Sequence, residues 1–478
     1  MIQRRIATLA ALFALMLSAC SQAASLPVGI NTNWFNTSDG ELPLINHFKM
    51  TGTWSNGQCA TLDSDGWPTA LNCPISNTVL DHMSTGGGGL PPYPPGPYQV
   101  TWIGAGHVTV SGDCASVTET LNSTTCTVVN PSQGGITVTV DKAPVHDIAV
   151  IETKNAAAYA AGQIFRPEYL AAVTGFKVIR FMEWQCINNN PCQSGNPQDL
   201  STWAQRPLLS NKGYNYTGRG IPLELAFALA NATGAAPWVN MPTRATADYI
   251  TQAATLAYQQ LKSGLVYVEL SNEVWNGQFA ATSYFAGIGH SLFPNAKGSD
   301  YDFTLNGYGY SVARMCDSWK AVWGADAARV VCVLGAQSAN PYTATQALSC
   351  PFNAGDPCYK HGIGAVAVAP YFGSNSTTSC TTTDCFFANM PGWLNDISNQ
   401  ETSMLAALKQ YGLPMVAYEG GPTNVSNENG CGPSCQLYQK ANADPRMGAA
   451  VAQMFATWFA NGGDEFTFYK AEIGRAHV

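Results

Sequence analysis

The sequence predicts an α/β fold: a (β/α)8 barrel of parallel strands, with a small antiparallel β domain inserted between strands one and two. Three observations predict it. From about Arg166 onward, short apolar β-rich runs alternate with helical stretches, the pattern of βα units on a parallel sheet. Seven such runs occur there and an eighth lies near the mature N-terminus, a count that matches a TIM-type barrel. No glycine-rich phosphate loop follows any of them, which disfavours a doubly wound open sheet.

Taken in order, residues 1–23 read as an export signal. Arg4 and Arg5 precede an apolar run from Ile6 to Leu17 that is too short to span a bilayer. Two exits follow: Ser21-Gln22-Ala23, a small-x-small cleavage site, and Leu17-Ser18-Ala19-Cys20, which resembles a bacterial lipobox and is the favoured reading. The expected location is therefore secreted or cell-envelope, with contact to a membrane only through a lipid on Cys20. Residues 24–85 hold strand one, Pro27–Asn31, and its loop. Residues 86–153 open with a Gly/Pro linker and continue in alternating runs (Tyr98–Ile103, His107–Ser111, Ser123–Val129, Gly135–Val140, His146–Ile151), the expected β domain. It is read as a structural lid or spacer in preference to a sugar-binding module.

Residues 154–471 form the rest of the barrel. Its strands are expected at Lys177–Met182, Pro237–Met241, Leu265–Leu270, Val330–Leu334, Ala365–Ala369, Met415–Tyr418 and Glu465–Tyr469, with amphipathic helices such as Ala245–Leu261 and Gly307–Trp323 between them. The tail 472–478 completes EIGRAHV, a heptapeptide that a widely used sequencing adapter encodes, so native sequence is expected to end within strand eight.

Composition narrows the function. Charged residues are 11% of the chain, against ~25% in an average soluble domain, and Ser, Thr, Asn and Gly take their place. Such a surface hydrogen-bonds neutral ligands. A net charge of −8 without a basic patch excludes the phosphate-neutralising footprint of a nucleic-acid binder. Of 15 cysteines, 14 besides Cys20 fall into near neighbours: Cys59/Cys73, Cys114/Cys126, Cys186/Cys192, Cys316/Cys332, Cys350/Cys358, Cys380/Cys385 and Cys431/Cys435. Seven local disulfides in an oxidising compartment are expected. Scattered histidines give no metal-ligand spacing, and no metal or organic cofactor is implied. His107 and His146 read as surface histidines. No GxSxG elbow or Ser-His-Asp arrangement is present.

Two carboxylates stand out. Glu273 follows strand four in LVYVELSNEVWN, and Glu419 ends strand seven in MVAYEGGPTN. In such barrels the C-terminal strand ends form the active-site face, and a charge placed there is costly unless used or paired. The SNEVWN and AYEGG segments resemble the clan A glycoside hydrolases, retaining (β/α)8 enzymes with an Asn-Glu acid/base after strand four and a Glu nucleophile at strand seven. The resemblance covers 27–84 and 154–470, and extends to an arginine in RFMEW on strand two and a tyrosine in APYFG on strand six.

The resemblance implies that Glu273 is the acid/base and Glu419 the nucleophile, about 5–5.5 Å apart in retaining geometry. It further implies that Arg180 and Tyr371 hydrogen-bond Glu419, that Asn272 binds the sugar 2-hydroxyl, and that Tyr469 floors the site. Poor solvation and the charge of Glu419 are expected to keep Glu273 protonated. Trp34, Trp184, Trp238 and Trp275 lie near strand ends, where indoles stack on sugars or pack a core; packing is favoured for Trp238. Glu183 stands near Arg180, to pair with it or line a subsite. The expected protein is a monomeric retaining glycosidase acting on a neutral β-linked polysaccharide or oligosaccharide. A transglycosylase on the same glutamates, or a non-catalytic carbohydrate-binding surface lipoprotein, is the alternative.

Overall fold

The computed structural model describes residues 26–35, 41–80, 93–132, 134–188, 200–215, 218–373, 379–423 and 432–469. The export segment, Cys20, Cys192, Cys431 and the tail 472–478 lie outside them. Eight strands close a parallel barrel in chain order: strand one Val28–Asn31, two Val178–Arg180, three Ala236–Met241, four Val266–Leu270, five Val330–Gly335, six Ile363–Val368, seven Met415–Ala417 and eight Phe466–Phe468. Closure is made where Val28 registers with Phe466 and Ile30 with Phe468.

Residue parity along each strand decides what faces inward. In strand four, Val266, Val268 and Leu270 pack outward in the large core shared with the helices, whereas Tyr267 belongs to the barrel interior with Val178, Trp238, Val333, Ala365, Ala367, Val416 and Tyr418. The interior is filled: the Trp238 and Tyr267 rings stack 5.2 Å apart. Two residues beyond these inward positions come Arg180 and Glu269, so the same parity places both inside the barrel, one layer nearer its C-terminal rim.

The helices cover the outside because their apolar residues recur at helical spacing. Ala247–Gln260 buries Tyr249, Ile250, Ala253, Ala254 and Ala257, and Thr246 caps it by accepting from the Tyr249 N–H. The helix expected at Gly307–Trp323 is longer, Asp300–Trp323, because Ser299 and Asp302 form a capping box ahead of it. Among the described residues no helix is long and apolar enough to cross a membrane.

Between strands one and two lies the β module. One antiparallel sheet orders His146–Glu152, Gly96–Ile103, Ser123–Val128 and Cys114–Thr120; another orders Ile75–Val79, Ile136–Lys142 and His107–Gly112. Trp54, Trp67, Tyr98, Val100, Val138, Val140 and Val150 fill its separate core. The buried Lys212, from the segment after strand two, donates to Asn77 of this module and lies 4.3 Å over the Trp54 ring.

Disulfides join Cys59–Cys73, Cys114–Cys126, Cys350–Cys358 and Cys380–Cys385. Cys186 and Cys435 are also disulfide-bonded. One expected pair is corrected: Cys316 and Cys332 are free, buried thiols. They sit on the long helix and on strand five, where helix packs on sheet, and behave there as small apolar side chains. Burial and the neighbouring Cys332 hold the Cys316 thiol well above its usual range.

Candidate active site

The loop after strand four is strained where it presents its carboxylate. Ser271 and Glu273 have φ of 62° and 43°, the left-handed region that non-glycine residues rarely occupy. Such strain persists only where surrounding contacts over-determine it, and it clusters at functional sites. Those contacts are present. Glu273 accepts from the Tyr418 hydroxyl at 2.8 Å and from Asn276 Nδ2 at 2.8 Å. Tyr418 immediately precedes Glu419, so the end of strand seven reaches directly to the carboxylate of strand four.

The two glycines after Glu419 have a steric cause. A Cβ on Gly420 would stand 2.6 Å from the Phe466 ring, and Gly421, at φ 134°, would meet the Phe468 ring at 2.8 Å. Only glycine lets the strand-seven end pass this close to strand eight. The pass seats Glu419 in a nearly closed position, 7% exposed. Burial and the charge of Glu273 push its carboxyl up to about 8, while Arg180 opposes them. Both Glu273 and Glu419 act on the Tyr371 and Tyr418 phenols, so the two carboxylates share one site.

Arg180 departs from expectation. Its guanidinium stands 3.6 Å from Glu419 in an ion pair and makes no hydrogen bond to it. Its hydrogen bonds go instead to Glu269 through Nε at 3.2 Å and Nη2 at 2.9 Å, to Asn31 at 3.2 Å and to Asn272 at 2.6 Å. The reason is parity: Glu269 is inside the barrel at the same depth, and its buried charge needs a cation. Tyr371 does face Glu419, and burial, with that charge, holds its phenol well above the usual range.

No protein-family model and no curated protein matches this sequence. Solved structures do. The chain is similar to an arabinofuranosidase from Xanthomonas axonopodis pv. citri, with TM-score 0.38 and 11% identity over 64% of this chain and 60% of that one. It is similar to a 4-O-α-L-rhamnosyl-β-D-glucuronidase from Fusarium oxysporum, with TM-score 0.35 and 14% identity over 64% and 58%, and to an endo-β-1,4-mannanase from Cellulomonas fimi, with TM-score 0.31 and 12% identity over 62% and 57%. The chain thus spans about three fifths of the length of each.

The remaining expected residues fall into two groups. Asn272 is buried; its oxygen is held by Arg180, and its Nδ2 has no hydrogen-bond partner among the described residues. Glu183 is buried and accepts from the Tyr469 hydroxyl at 2.9 Å, and the Tyr469 and Tyr371 rings lie 6.2 Å apart. Trp34 and Trp275 are half-buried at strand ends one and four. Trp184 is corrected: it is 0% exposed, packed against Phe35, Phe181 and Tyr169, and offers no face to a ligand. Trp238, read as core, is buried and donates to Glu269 at 2.9 Å.

Three members were missed. Glu269 carried a signal, since a lone charge inside an otherwise apolar strand demands a partner. Asn276, three residues after Glu273, carried a weak one. Tyr418 carried none, because its hydroxyl meets Glu273 only through barrel closure. Among the described residues no group of three His, Cys, Asp or Glu side chains could hold a metal ion.

Proposed function

We propose that this chain is an exported glycoside hydrolase that cleaves a neutral, β-linked glycan by double displacement, with Glu273 as acid/base and Glu419 as nucleophile. The observation that carries it is the hydrogen bond from Tyr418, the residue before Glu419, to Glu273. It brings acidic residues from opposite sides of the barrel mouth into one cluster. Glu419 feels the charges of Glu273, Glu183 and Glu269 and the opposing charge of Arg180. Excess negative charge suits an oxocarbenium-like transition state and repels an acidic sugar.

Burial and the charge of Glu273 favour the protonated form of Glu419, whereas the sequence expectation put the retained proton on its partner. The reactive form is the tautomer with that proton on Glu273. Glu419 then attacks the anomeric carbon, the glycosidic bond breaks, and the leaving oxygen takes the proton from Glu273. In the second half Glu273 accepts a proton from water, whose oxygen displaces Glu419 from the sugar. Asn272 Nδ2, free to donate, hydrogen-bonds the 2-hydroxyl, and Trp275 and Trp34 offer ring faces to the sugar.

A panel of neutral polysaccharides with the full chain tests this, followed by Glu273→Ala and Glu419→Ala. Each variant is expected to lose activity by at least ~100-fold. Azide should rescue Glu273→Ala as the β-azide and Glu419→Ala as the α-azide. Wild-type activity in either variant overturns the assignment.

A further inference from the structure

Glu269 is a buried carboxylate that double displacement does not use. It is 0% exposed, on strand four four residues before Glu273. One of its oxygens, Oε2, accepts from Arg180 Nε and Nη2 and from the Trp238 indole. Its other oxygen has no hydrogen-bond partner among the described residues. Two N–H groups of one guanidinium edge thus converge on Oε2 alone, a charge-assisted contact that holds the guanidinium in place. The Arg180 atom left toward Glu419 is Nη1, at 3.6 Å, and one of its two N–H groups donates to Asn31.

We propose that Glu269 is a positioning residue whose carboxylate claims the Arg180 guanidinium and so limits how strongly that cation pairs with Glu419. This deepens the glycosidase reading and rests on it. An unclaimed guanidinium would turn onto Glu419 and stabilise its charged form. Glu419 would then lose its proton at lower pH, and the site would hold no proton for the leaving group near neutrality. The groups that face Glu419 are Arg180 and Glu183 from strand two and its end, Glu269 and Glu273 from strand four and its loop, and the phenols Tyr371, Tyr418 and Tyr469. Arg180 supplies the one positive charge among them, so its orientation governs the proton. Tyr308, from the long helix, is the further titratable group facing Glu269.

The test is Glu269→Gln in the full chain. Glutamine keeps the shape, and its oxygen can still accept from Trp238. The titration midpoint of Glu419 is read by carboxyl-carbon NMR, with Glu419→Gln assigning the signal, and the alkaline limb of kcat/KM is measured beside it. The midpoint is expected to fall from about 8 by roughly 1–3 pH units, and the alkaline limb should move with it. Glu269→Asp, which withdraws the carboxylate by one methylene, is expected to move both in the same direction by less. Either folded variant keeping the wild-type midpoint overturns the proposal. The NMR midpoint needs no turnover, so a wild-type protein that cleaves no glycan refutes the glycosidase reading while this measurement still decides the role of Glu269.

Discussion

Arg180→Met removes the cation of the site and tests which carboxylate it serves. Arg180 is fully buried, and two of its N–H groups bond Glu269 while Glu419 is reached only at 3.6 Å. Deleting one partner of a buried pair leaves the other charge uncompensated and costs about 3–5 kcal/mol. The methionine fills most of the side-chain volume, so little of this cost comes from a cavity. Adding Glu269→Gln removes the stranded charge, and the double variant is expected to recover about 2–3 kcal/mol of the summed single losses. Adding Glu419→Gln instead should recover under ~1 kcal/mol, because no hydrogen bond joins it to Arg180. Guanidinium unfolding followed by tryptophan fluorescence measures all four corners of each cycle. If the Arg180 and Glu269 losses simply add while those of Arg180 and Glu419 couple, the guanidinium belongs to Glu419 and the reasoning from strand parity is wrong.

Trp184→Ala is expected to cost about 3–5 kcal/mol of stability, since the indole is enclosed by three rings; an unchanged melting curve with a raised KM would show it to be a sugar platform after all. Trp275→Ala should do the reverse, weakening substrate binding by about 0.5–1.5 kcal/mol, roughly 3–10-fold in KM, with stability little altered. Glu465 at the base of strand eight is raised to about 8 by burial and by Asp464, against the opposing Lys177. A carboxyl raised on folding contributes its stability at low pH and loses it as pH rises through the folded value. Glu465→Gln should therefore match wild type near pH 5 and exceed it near pH 9 by on the order of 3 kcal/mol, as read by unfolding at the two pH values. Alkylation without reductant should label Cys316 and Cys332 only after denaturation; labelling of the native protein would contradict their burial.

The barrel was legible because local chemistry announces it: β-rich runs separated by amphipathic stretches need no knowledge of distant neighbours. The positions of Glu273 and Glu419 followed from the same count, since a residue at the end of a strand faces the barrel mouth whichever way the helices pack. Cysteine spacing likewise foretold the short loops of Cys350–Cys358 and Cys380–Cys385, where the chain has no room to separate its ends.

What the tertiary structure alone decided is who meets whom across the barrel. Arg180, Glu269 and Asn31 come from strands two, four and one and Tyr418 from just past strand seven, and only closure sets their depth and facing. That closure gave Arg180 to Glu269, turned Trp184 into the core, brought the Tyr418 hydroxyl to Glu273, and left Cys316 and Cys332 as thiols between helix and sheet. A sequence carries propensity and parity residue by residue; contacts between distant strands depend on register and shear, which are properties of the assembled sheet.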